Sequence, residues 1–129
     1  MFWLLALWSI PVTAFLVARR YAAAKLWRVV GVAFGAVVTP ASLGLTCVSV
    51  GPMSPFFEMI GFVLVLLHET PGYKLSILFG LVPPGCIVEG LRQHASIEAL
   101  NGVVWATAYG GLGWVVDVIR ARRKRPPKA

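Results

Sequence analysis

Charge is what this chain has least of. Only 13% of its 129 residues are charged, against about 25% in an ordinary soluble domain. Acidic groups are scarcer still: five Asp and Glu against twelve Lys and Arg, for a net charge of +7. Two histidines and no acidic cluster around them leave too few ligands for a zinc or di-iron site. His68-Glu69 lacks the second histidine four residues on that a metalloprotease helix requires. There is no Cys-x-x-Cys, no glycine-rich phosphate loop and no GxSxG. Catalysis needs positioned acid, base or metal groups, so a non-enzymatic protein without cofactors is expected.

Long apolar runs are what the chain does have. It is 58% hydrophobic, with a mean hydropathy of +0.79. A hydrocarbon core of roughly 30 Å is crossed by about 20 apolar residues in helical form. Phe2–Ala18, Val29–Val50 and Ala99–Val116 meet or approach that length. The pattern predicts an all-α, polytopic transmembrane helical bundle, with long spans at about 2–18, 29–50 and 97–119. Two short or re-entrant helices are predicted at about 55–68 and 75–90. A basic cytoplasmic tail, 120–129, would follow this single domain of residues 1–119.

The positive charge is concentrated in two clusters beside apolar runs, with Lys74 and Arg92 outside them. Arg19, Arg20, Lys25 and Arg28 form one; Arg120, Arg122, Arg123, Lys124, Arg125 and Lys128 form the other. Flanking basic residues mark the cytoplasmic side and attract anionic headgroups. Positive charge follows the first apolar run rather than preceding it, unlike a cleavable signal peptide. A retained first helix is expected, with the N-terminus outside and the C-terminus cytoplasmic, in a bacterial inner membrane. With both clusters inside, the segment Gly51–Glu98 starts and finishes outside. Its two apolar stretches, Phe56–Leu67 and Leu75–Val88, then both cross or both dip in; a four-span count is the alternative. At roughly 18 and 21 Å of helix they suit re-entrant segments, and Pro83-Pro84-Gly85 interrupts the second. Ser54-Pro55 reads as a helix start, and Thr70-Pro71-Gly72 as a turn between the short helices.

Small residues recur at four-residue spacing: Gly31, Gly35 and Thr39 on one helix, Gly102, Ala106 and Gly110 on another, Ala14, Ala18 and Ala22 on the first. Such faces let backbones approach closely in lipid. They predict packing within the bundle first, contact between chains second. The candidate polar or pathway residues are Glu58, His68, Glu69, Pro83, Pro84 and Gly85: ionisable groups in or beside membrane helices and a broken helix that exposes backbone dipoles. Asp117 is expected to pair with Arg120, three positions on along a helix. Cys47 and Cys86 are expected as small buried hydrophobes, with a disulfide on the outer side geometrically conceivable. Trp8, Trp105 and Tyr109 are expected to pack internally.

These features predict a small multi-pass membrane protein that works by helix–helix interaction, as an accessory subunit, assembly factor or immunity-type protein. Its partners would be the lipid bilayer and another membrane protein or a second copy of itself. Nucleic acid is not expected, because the basic tail has no aromatic residues for base stacking. A small homo-oligomeric channel or transporter is the alternative, and a holin-like pore former a further one.

Overall fold

A computed structural model describes residues 2–46, 54–85 and 90–123; the side chains of residues 2–4 and 54 are outside the description. Cys47 and Cys86, with the disulfide reading, therefore lie outside the described residues, as do Lys124 and Arg125.

Every element in the described chain is helical. Helix α1 is Phe2–Tyr21. A 3₁₀ turn at Ala23–Lys25 leads into α2, Leu26–Thr46. Helix α3 is Ser54–His68, α4 is Thr70–Leu78 and α5 is Leu91–Arg123. Two helical stretches, Ala23–Thr46 and Leu91–Arg123, are long and apolar enough to cross a membrane. Pro55–His68 is a shorter apolar helix.

Boundaries depart from the sequence pattern where proline and glycine act. In place of a helix at 75–90, α4 occupies 70–78. Thr70-Pro71-Gly72 forms the first turn of α4 rather than a loop. Proline is tolerated there because the first amides of a helix have no partner to lose. Beyond Leu78 the chain leaves helical geometry, with Gly80 at φ +68° and Gly85 at φ +74° on either side of Pro83-Pro84. Helix α5 starts six residues before the expected 97 and runs to Arg123, so the first residues of the basic tail are helical. Its 33 residues make roughly 50 Å of helix, longer than a hydrocarbon core.

The fold is organised around the antiparallel pair α2–α5, the most extensive contact in the molecule. Glycine sets how close the two backbones come. A Cβ on Gly35 would fall on the carbonyl of Trp105, one on Gly31 on that of Tyr109, and one on Gly113 on that of Trp27. Successive contacts are four residues apart on both helices, so one register runs the length of the seam. Gly102 and Gly110 extend it from the α5 side, toward the Ala36 carbonyl and the Val32 side chain. Pro40 lies inside α2, and its missing amide leaves the Ala36 carbonyl without its intrahelical partner; Gly102 is the α5 residue packed against that carbonyl. Helices α1 and α3 pack on α2, and α4 packs on α5.

Candidate functional site

The α3–α4 segment carries polar side chains into the helix pair. Gly61 of α3 abuts Leu45 and Thr46 at the end of α2. Seven residues later, His68 reaches Trp105 and Tyr109, the α5 residues opposite Gly35 and Gly31. Gly72 then abuts Ile97 and Asn101, back toward the end of the seam from which α3 came. His68 is the deepest of these three points. The chain bends beside it because Pro71 supplies no amide to continue the α3 hydrogen-bond ladder.

His68 is buried at 4% exposure, and every polar atom of its ring has a partner. Nδ1 is 2.8 Å from the Leu64 carbonyl. A carbonyl only accepts, so Nδ1 carries the proton. Nε2 is hydrogen-bonded to the Tyr109 hydroxyl at 2.8 Å, a group that can donate or accept. The Trp105 indole donates to the His68 carbonyl at 2.7 Å, and its ring meets the imidazole edge-on with centroids 4.5 Å apart. The aromatic contacts continue from Tyr109 to Phe34 at 5.1 Å and from Phe34 to Trp8 at 6.2 Å, tying α3, α5, α2 and α1 together. His68 thus serves as a fully hydrogen-bonded bridge between helices.

One turn toward the open end the situation reverses. Asn101 is fully buried and its Oδ1 accepts from the Gly72 amide at 2.6 Å. This bond fixes the amide orientation and leaves Nδ2, a donor, with no partner. Three more buried atoms lack partners: Ser76 Oγ on α4, Thr39 Oγ1 on α2 and Glu98 Oε2 on α5. Ser76 is one helical turn from Gly72, and Glu98 is one turn from Asn101. The seam register places Thr39 level with Asn101. Glu69 lies within electrostatic reach of Glu98. Three helices therefore contribute a polar seam that is incompletely satisfied by the protein itself.

Sequence reasoning named Glu69 as a polar or pathway candidate and Thr39 as a packing residue, and missed Asn101, Ser76 and Glu98. Asparagine and serine in an otherwise apolar helical run were the available signal. The remaining pathway candidates are not brought to this seam. Glu58 is exposed on α3, and Pro83, Pro84 and Gly85 are exposed beyond α4, with open space around Gly85. Among the packing residues, Gly31, Gly35, Gly102 and Gly110 lie in the α2–α5 seam, and the Ala106 amide nitrogen lies against Gly35.

At the opposite end the described residues of the two basic clusters come together. Asp117 does not act as a surface partner of Arg120. It is buried at 8% exposure, and its Oδ1 and Oδ2 accept from the backbone amides of Trp27 and Arg28 at 3.1 and 3.0 Å. Those amides belong to the first turn of α2, which has no intrahelical acceptor for them, so a residue 90 positions away in sequence caps the helix. The Arg120 guanidinium lies over the Trp27 ring at 5.9 Å, and that of Arg20 over Tyr21 at 5.4 Å. Arg19, Arg20, Arg120, Arg122 and Arg123 are exposed, while Arg28 is half-buried with an unpartnered Nε.

Compared with known proteins, the chain matches no family model, no curated protein and no solved structure.

Proposed function

We propose that the chain is a multi-pass membrane protein in which α1, α2 and α5 span the bilayer and α3–α4 is re-entrant. In this reading it acts without catalysis, by binding another membrane protein through helix contact, as an accessory subunit, assembly factor or immunity-type protein. The described residues of both basic clusters lie at one end of the α2–α5 pair, which supports a cytoplasmic position for that end. The N-terminus is then outside and the C-terminus inside, in a bacterial inner membrane. A periplasmic-reporter fusion at residue 129 should be inactive and a fluorescent cytoplasmic one active.

The observation that carries the contact role is the second face of α5. Its first face is occupied by α2. The other presents Ala95, Ala99, Val103, Thr107 and Gly111 at four-residue spacing, all exposed, and all but Val103 are small. A Cβ on Gly111 would meet nothing within 4 Å. The Thr107 hydroxyl is satisfied internally by the Val103 carbonyl at 2.8 Å, as a surface without water demands. Small residues on a free face allow close approach of a further helix. The test is affinity purification of the tagged chain in mild detergent at native expression, with a photocrosslinker at position 107. A stoichiometric unrelated protein crosslinked there, and lost in Gly111→Leu without any fall in the thermal unfolding temperature, supports the reading. A homogeneous homo-oligomer with nothing else attached overturns it.

That outcome would favour the second reading, a small channel or transporter, supported by the unpartnered Asn101, Ser76, Thr39 and Glu98 atoms. Glu98→Gln should then alter flux in proteoliposomes, whereas Glu58→Gln should not. A holin-like role instead calls for abrupt lysis on overexpression.

A further inference from the structure

The joined basic end contains a pocket lined by Ala23 and Ala24 of the 3₁₀ turn and by Asp117, Arg120 and Ala121 of α5. Alanine on both walls is what leaves the space, since any longer side chain at 23, 24 or 121 would enter it. Asp117 is the one anion on its wall. Its two carboxylate oxygens are committed to the Trp27 and Arg28 amides, at the positive end of the α2 dipole. The charges left to act on a ligand are therefore basic: Arg120 on the wall, Lys25 exposed on the 3₁₀ turn, and Arg28 with its unpartnered Nε next to the capped amides. Below Arg120, at four-residue spacing on the same face of α5, lie Val116 and Leu112, 41% and 63% exposed. Their exposure leaves this apolar strip uncovered among the described residues.

We propose that this pocket is a binding site for an anionic glycerophospholipid. The phosphodiester headgroup sits against Arg120, and an acyl chain lies along Val116 and Leu112. A phosphate oxygen is the acceptor a guanidinium fork is shaped for, and the apolar strip directly below it suits an attached chain rather than a free ion. The Trp27 ring under Arg120 holds the guanidinium at the level where indoles favour the membrane interface. This site rests on the membrane-spanning part of the proposed function and is independent of the accessory role.

Native mass spectrometry of the full chain in neutral detergent, with equimolar phosphatidylglycerol and phosphatidylcholine, tests it. One phosphatidylglycerol should be retained preferentially. Arg120→Gln should lower that retention about fivefold, the equivalent of one basic residue at a surface, and Ala121→Trp should do so without changing charge. Arg123→Gln removes the same charge away from the pocket and should retain the lipid. Equal retention of the two lipids by the unmodified chain overturns the proposal without recourse to any variant. Equal losses in Arg120→Gln and Arg123→Gln overturn it in favour of diffuse electrostatics. Displacement by millimolar inorganic phosphate assigns the pocket to a free anion and overturns the lipid assignment. Loss of the partner in the crosslinking experiment with lipid retention intact refutes the accessory reading alone.

Discussion

Gly35 and Gly111 are both helical glycines in apolar stretches, yet the structure predicts opposite consequences of adding one methyl group. In a helix interior, Gly→Ala gains about 0.5–1 kcal/mol from reduced backbone entropy. At Gly111 nothing opposes that gain, because a Cβ meets no atom within 4 Å. At Gly35 the Cβ would fall on the backbone carbonyl of Trp105, and a backbone atom cannot rotate aside as a side-chain tip can. Overpacking of this kind costs about 1–3 kcal/mol, and the rigid register carries the strain to Gly31 and Gly113. The net expectation is destabilisation of about 1–2 kcal/mol for Gly35→Ala and stabilisation of up to about 1 kcal/mol for Gly111→Ala. For a chain of this size these shifts correspond to several degrees of unfolding temperature in opposite directions. Circular dichroism melts in one detergent resolve them. If Gly35→Ala were as stable as Gly111→Ala, the backbone seam between α2 and α5 would be wrong.

Other perturbations separate roles that composition alone leaves merged. Asp117→Ala removes the acceptor of two α2 amides and should destabilise by about 1–2 kcal/mol. Arg120→Ala should leave stability within about 0.5 kcal/mol; a matching loss in both variants, measured by thermal melts, would restore the ion-pair reading. Tyr109→Phe leaves His68 Nε2 without its hydrogen-bond partner and should cost about 1–2 kcal/mol. The double-mutant cycle with His68→Ala should show coupling of about 1 kcal/mol, and zero coupling removes the bond. Asn101→Ala strands the buried Gly72 amide, for a loss of about 1–3 kcal/mol, while Asn101→Asp, which keeps the acceptor, should recover part of it in the same melts.

All-helical class and the main packing glycines were legible because each rests on a local pattern. Apolar length sets the helices, and four-residue spacing of small residues marks the close faces. Position 113 escaped notice because it stands three residues from Gly110 and so breaks the four-residue count, although it contacts Trp27 in the same register as Gly31 and Gly35. The second short helix was misplaced because Pro71 was read as a turn signal. In a first helical turn the same residue is a start signal, and only the bend beside His68 distinguishes the two. Asp117 was read by its nearest neighbour in sequence. Its actual partners, the amides of residues 27 and 28, carry no side-chain signature and become visible only once the α2–α5 register is known.

The same register bears on where water reaches the molecule. Thr39 Oγ1, Ser76 Oγ, Glu98 Oε2 and Asn101 Nδ2 are all buried and unpartnered. At about 1–3 kcal/mol for each unsatisfied group, leaving all four dry would cost an amount comparable with the whole stability of a typical domain. Hydrocarbon can satisfy none of them. Their level, nearer the Thr46 end of the seam than Gly31, should therefore be hydrated, whereas the glycine contacts around Gly31 and Gly110 should be dry. In a background lacking Cys47 and Cys86, a cysteine at Glu98 should react with a membrane-impermeant maleimide in oriented vesicles. One at Ala106, half-buried and about two turns deeper, should not. If position 98 were as unreactive as position 106 from both sides, the polar seam would be closed to water and its four atoms would have to find partners within the protein.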